Sequence, residues 1–294
     1  MSLSQATLIQ RVRNLLDDDY WETTQTGSYT AGGTTVGVPD GGRWEEGNIG
    51  EWQDTGEQFR VISVSVNTLT IKGGHRGTTP ANHSAGVVIL HSPDFTYASI
   101  VDAISLTIQS LWPYVWKVGS TTVTPALPTL WYTLSTSAID LVRVTQQYSS
   151  SPARFGVYGA RDTGKPVSFG RTVPTAMGIG AQALGFPQGF FDNTNTIYVD
   201  YRAKLTDTIA TNNYSDLSDG ILAEIVAFGA AARLMLPKEA SRVSAEDANQ
   251  GDSSVAPGAR MSVTDYLHRK FVELRNNYHE ELMVTSGPMK TWRV

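Results

Sequence analysis

The apolar residues of this chain change their period along its length, and that change restricts it to a mixed fold. Leu8, Val12, Leu15 and Leu16 recur at the three- and four-residue spacing of one helix face, which ends near Asp17 to Tyr20. From about Thr23 to Leu90 the texture turns to Gly, Thr and β-branched residues, with a Gly-rich hairpin or loop from Gly27 to Gly42. Within it, Ile62, Val64 and Val66 alternate with Val61, Ser63 and Ser65, the two-residue period of a strand with one buried face. Asn67-Thr68 then makes a turn and Leu69-Thr70-Ile71 returns as the partner strand, before the corner Gly73-Gly74-His75-Arg76-Gly77. Val87 to Leu90 supplies a closing strand.

The helical period resumes at Tyr97, Val101, Ile104, Ile108, Leu111 and Val115, with Pro113 set to kink or end that helix early. Leu141 to Val144 reads as a strand, and so does the run in which Ile197, Val199 and Tyr201 alternate with Tyr198, Asp200 and Arg202; a long, weakly charged loop region separates them. Leu217, Ile221, Ile225, Phe228 and Ala232 form a helical apolar face up to Pro237. Leu267, Phe271, Leu274, Tyr278 and Leu282 form another, which Gly287-Pro288 stops, and the polar stretch Ser241 to Gly258 is expected to be a mobile connector. The class expected is α+β: a helical core with an inserted small β-barrel-like module and a second β-rich region. By number, 1–24 and 93–118 are the N-terminal core helices, 25–92 the inserted β module, and 119–206 the β-rich region with its long loop. The C-terminal helices follow at 207–285 and an extended tail at 286–294.

Composition narrows the chemistry. With 294 residues the chain exceeds one ordinary domain of roughly 100 to 200 residues, so two or three modules share it. Charged residues make up only 17%, which suits a surface partly covered by partners. A net charge of -5 lacks the basic footprint of specific nucleic-acid binding. The absence of cysteine removes disulfides, thiolate zinc sites and cysteine nucleophiles together. The start, MSLSQATLIQRVRNLL, lacks a signal-peptide layout, and the uncharged runs Val118 to Ile139 and Val173 to Phe191 carry Pro or Gly that disfavours a membrane helix.

Several patterns mimic active sites. Gly159-Ala160-Arg161-Asp162-Thr163-Gly164-Lys165 has phosphate-loop spacing, but Pro166 stands where Ser or Thr must hold magnesium. Gly178-Ile179-Gly180-Ala181-Gln182-Ala183 lacks the strand-turn-helix setting of a dinucleotide site. His75, His83, His91, His268 and His279 show no HExxH spacing, and neither a GxSxG elbow nor an evident acid-base carboxylate pair occurs. Asp17, Asp18 and Asp19 point different ways and read as a solvated helix end. Trp112, Trp116, Trp131 and Tyr132 offer a sugar-stacking platform, but Trp112 and Trp116, four apart on the expected helix, are explained more simply by packing. The expectation is therefore no enzyme, with no catalytic residue, cofactor or metal.

Two stretches resemble proteins of tailed-phage necks and tails. In Trp52 to Leu90, Leu69-Thr70-Ile71, Arg76-Gly77-Thr78-Thr79 and His83-Ser84-Ala85-Gly86 are similar to a small β module of many phage virion proteins. Tyr201-Arg202-Ala203 ending a strand, followed by a helix with Gly229-Ala230-Ala231-Ala232, resembles head-to-tail connector and adaptor proteins. The resemblance implies a virion neck component, assembled in the host cytoplasm as a ring of about twelve copies between portal and tail. Implied partners are other copies, the portal and a downstream neck or tail protein, with DNA passing unread and no membrane. It implies further that Met289, Lys290, Trp292, Arg293 and Val294 form a portal-binding tail, the alternative being a frayed terminus. A tail-completion or baseplate protein, and a virion-borne hydrolase, stand as the competing readings.

Overall fold

A computed structural model describes residues 3–16, 21–124, 131–134, 137–147, 154–156, 168–170, 183–185, 196–206, 213–217, 220–249 and 263–286. In chain order its elements are β1 (Leu3–Ser4), α1 (Gln5–Leu16), β2 (Trp21–Thr24), β3 (Thr35–Gly37), β4 (Ile49–Trp52), β5 (Gln58–Ser65), β6 (Thr68–Lys72), β7 (Val88–His91) and α2 (Tyr97–Ser110). There follow β8 (Lys117–Val123), β9 (Trp131–Thr133), β10 (Ala138–Gln147), β11 (Arg154–Gly156), β12 (Ser168–Gly170), β13 (Ala183–Gly185), β14 (Ile197–Ala203), β15 (Asn213–Tyr214), α3 (Gly220–Asn249) and α4 (Val263–Ser286). The class is α+β. Two compact units divide the chain, one of residues 1–108 with 207–274 and one of 109–206 with 275–294.

In the first unit, side-chain caps start the helices. The Ser4 hydroxyl accepts from Thr7 N at 3.1 Å ahead of α1, and Thr96 Oγ1 accepts from Ser99 N at 3.2 Å ahead of α2. The six-strand sheet runs β2-β7-β4-β5-β6-β3, every pair antiparallel. It curls until its outer strands approach: just past β2, Thr26 N–H donates to Gly37 O at 2.9 Å. Curling gives the sheet an inside, filled by Tyr29, Val36, Trp44, Trp52, Phe59, Val61, Leu69, Ile71 and Ile89.

Helix α3 is buried along most of its first half, through Leu222, Ala223, Ile225, Val226, Ala227, Ala230, Ala231 and Ala232. Gly229 sits among them because a Cβ there would lie 2.5 Å from Thr107 Cγ2 and 2.8 Å from the Phe271 ring. The glycine thus lets α2 and α4 close on α3. Gly220–Lys238 is also long and apolar enough to cross a membrane, the same composition that a buried core helix requires.

The second unit holds a four-strand sheet, β11-β10-β14-β8, and a three-strand sheet, β12-β13-β9. Val123, Leu134, Ala138, Val144, Ile197, Val199, Tyr201 and Ala203 make one core cluster. Tyr201 lies directly across from Gly119, where a Cβ would meet its ring at 2.6 Å, so the ring covers the bare backbone.

The structure corrects several expectations. A bulge between Val61 and Ser63 shifts β5, so Phe59 and Val61 face the core while Ile62 is 44% and Val66 83% exposed. Turn Asn67-Thr68 becomes Val66-Asn67, since Ser65 pairs with Thr68. Helix α2 stops at Ser110, so Trp112 and Trp116 do not share a helix face. On α1, Ile9 and Arg13 are buried in place of Leu15, and on α3 Ile221 is exposed while Leu222 and Val226 are buried. Helix α3 runs through Pro237 to Asn249, overlapping the expected connector; the proline removes one hydrogen bond to the carbonyl of Arg233, an exposed residue. Trp21–Thr24 belongs to the sheet rather than to the opening helix, and strands β12 and β13 occupy parts of the expected loop region.

Candidate functional site

The sheet of the first unit is closed around a buried carboxylate. Glu57 follows a tight turn in which Gly56 N donates to Trp52 O at 2.8 Å, and the turn directs its side chain under the 73–83 loop. There Glu57 accepts from Gly74 N at 3.3 Å, Ala81 N at 2.8 Å and the His83 Nε2 at 3.0 Å. The other ring nitrogen of His83 faces Asp54 at 3.1 Å, and the ring stacks on Trp52 with centroids 4.2 Å apart. Trp52 Nε1–H donates to Gln25 Oε1 at 2.7 Å, and the Gln25 amide donates to His83 O at 3.2 Å. A buried carboxylate is tolerable only when its oxygens are matched by donors, and here every donor comes from the loop it restrains.

A second node joins helices to sheet. Arg13 of α1 and Glu51 of β4 meet at 2.7 Å with both side chains fully buried. Glu51 also accepts from Gln58 Nε2 at 2.9 Å and from Tyr97 N at 3.0 and 3.1 Å. Tyr97 opens α2, so the carboxylate faces the positive end of that helix. Arg13, Gln58 and the helix end together offset the cost of removing this charge from water.

Both nodes fasten loops and helix ends to the sheet. His83 sends its two ring nitrogens to carboxylates on opposite sides of the ring. Among the described residues no group of three or more His, Cys, Asp or Glu side chains is suited to hold a metal. Burial, with Glu57 adding to it, raises the pKa of Tyr29, whose hydroxyl donates to Gly33 O at 2.9 Å. Burial, then Glu51 and Asp54, likewise raises Tyr97. His91, edge-on to Trp44 and hydrogen-bonded to Asn48 Oδ1 at 3.1 Å, is lowered by burial. A groove of ≈330 Å³ between α1 and α3 is lined by Arg11, Asn14, Leu15, Glu224, Ala227 and Phe228; one Arg and one Glu are its charged groups.

No family model and no curated protein matches this chain.

The resembling motifs have defined structural places. Arg202 of Tyr201-Arg202-Ala203 is 1% exposed, with its guanidinium 4.5 Å over the Trp116 ring. His279 meets the same indole edge-on at 5.4 Å and donates from Nδ1 to Tyr114 O at 2.7 Å. Gly229 is the close-approach point on α3. Met289, Lys290, Trp292, Arg293 and Val294 lie outside the described residues, as do the phosphate-loop mimic 159–166 and residues 178–182 of the dinucleotide mimic. Sequence reasoning missed Arg13, Glu51 and Glu57. Arg13 carried a weak signal, standing one position after Val12 on the helix face, whereas nothing local marks the two glutamates.

Proposed function

We propose that this chain is a structural, non-enzymatic component of a tailed-phage virion, an adaptor that rings the neck between portal and tail. The observation that carries the reading is the use made of the residues behind the resemblance. Arg202 stacks under Trp116, and Gly229 is filled by Thr107 and Phe271; His83 and Glu57 are spent on fastening a loop. Packing and fastening are what a ring subunit asks of its conspicuous residues, and an enzyme would hold some of them open toward a cleft. In this reading the partners are further copies, the portal above and a neck or tail protein below, and DNA passes without being read.

The β module fits a tail-completion or baseplate position equally, and location separates these. Reconstruction of the intact neck tests the proposal, with this chain expected as a ring at the portal exit; complete, infectious particles lacking it would overturn the proposal. Deletion of Met289 to Val294 is expected to leave the circular-dichroism spectrum and melting unchanged while abolishing capture by portal. Undiminished capture would reject the tail as the portal anchor.

A further inference from the structure

Positive charge accumulates on the loop that Glu57 fastens and on the strand pair beside it. Arg60 of β5 and Lys72 of β6 are directly opposed across the strand pair, a placement that ordinarily destabilises a sheet because like charges repel. His75 and Arg76 follow in the next turn, and the His75 ring feels Arg76, Arg60 and Lys72 together. Arg60, Lys72 and Arg76 are exposed, and none forms an ion pair among the described residues. Glu57 beneath them has its oxygens committed to Gly74 N, Ala81 N and His83.

The backbone is strained at the same place. Arg76 adopts φ 54 and ψ 28, a left-handed conformation that L side chains avoid, although Gly74 and Gly77 on either side take φ 63 and φ 80 without penalty. Thr78 locks the turn, donating from Oγ1 to His75 O at 2.9 Å and accepting from Gln58 N at 3.0 Å. A third glycine would suit this turn better than an arginine does. Strain kept beside mutual repulsion, and held by part-buried hydrogen bonds, marks a surface maintained for contact rather than for stability.

We propose that Arg60, Lys72, His75 and Arg76 form a docking surface for the acidic face of a second copy of this chain. Charge selects that occupant. The whole chain carries -5, and without the three Lys and Arg charges of the patch the remainder carries -5 - 3 = -8, so another copy presents an anionic surface. One exposed carboxylate pair, Glu280 with Glu281 on α4, forms no ion pair among the described residues and offers the counter-charge. A basic patch on one element meeting an acidic pair on another element of the next copy is a head-to-tail contact, the kind that closes into rings.

The proposal rests on the self-assembly in the reading above, and the experiment separates the two. Sedimentation of the full chain is measured at ~0.1 M and ~1 M salt, where the screening length falls from about 10 Å to about 3 Å. The parent is expected to associate at the lower salt and dissociate at the higher. Arg76→Gly, which keeps the left-handed turn, and the Arg60→Gln/Lys72→Gln double variant are each expected to weaken association about tenfold or more. Arg76→Gly should melt no lower than the parent, which separates lost contact from lost folding. Oligomers indifferent to salt and to both variants would overturn the docking surface and leave the ring reading standing; a chain monomeric in every condition would overturn both. Binding of a duplex DNA probe that Arg76→Gly abolishes, with association unchanged, would assign the patch to phosphates and overturn the proposal.

Discussion

Replacing Glu57 by alanine tests whether one buried carboxylate holds the β-module loop in place. Three donors lose their acceptor: Gly74 N, Ala81 N and His83 Nε2. An orphaned buried donor costs about 1–3 kcal/mol. The His83 contact is buried while the Gly74 and Ala81 contacts are part-buried, so one full loss and two partial ones give a destabilisation of about 2–4 kcal/mol. Against a usual stability of about 5–15 kcal/mol the variant should still fold. Glu57→Gln is milder, because its remaining oxygen accepts one amide, and a neutral His83 accepts at Nε2 while donating from Nδ1 to Asp54. That leaves one mismatched contact and a loss of about 1–2 kcal/mol. Urea unfolding measures both variants, and hydrogen exchange at the Gly74 and Ala81 amides locates the effect. An alanine variant that loses less than about 1 kcal/mol, with both amides still protected, would refute the reasoning.

Gly229→Ala places a methyl 2.5 Å from Thr107 Cγ2, an overpacking cost of about 1–3 kcal/mol that the roughly 1 kcal/mol gained in helix propensity only partly offsets. A net loss of stability is expected in denaturant melts, and a gain would show that α2 and α4 do not close tightly on this residue. The pH profile should fall at both ends. His91 and His75 bind protons less readily folded than unfolded, so their contribution is present above 6.5 and lost as the pH drops through their lowered values. Tyr29 and Tyr97 have raised values, so their contribution is present below 10.0 and lost as the pH rises past it. Melting temperature against pH reads both limbs, and His91→Gln should flatten the acidic one; an unchanged acidic limb would remove His91 from the account.

Local pattern sufficed wherever neighbours in sequence decide the outcome. The helices α1, α2 and α4, the return of β6 onto β5 and the strand character of β14 follow from periodicity and turn residues. What escaped was set by residues distant in the chain. The bulge at Ile62 turns a regular alternation outward, because register belongs to the strand pair and not to one strand. Pro237 did not end α3: the helix continues past it even though an interior proline removes the hydrogen bond to the Arg233 carbonyl.

The sequence by itself determined the mixed class, the bracketing of a β-branched region by helical stripes, and the absence of thiol chemistry. Only the tertiary structure decided which charges are buried. Arg13 lies 38 positions from Glu51, and His83 26 from Glu57, so no window of sequence records either pairing. Burying a charge depends on donors and acceptors converging in space, and the chain supplies that convergence only once the sheet has curled and the helices have closed upon it.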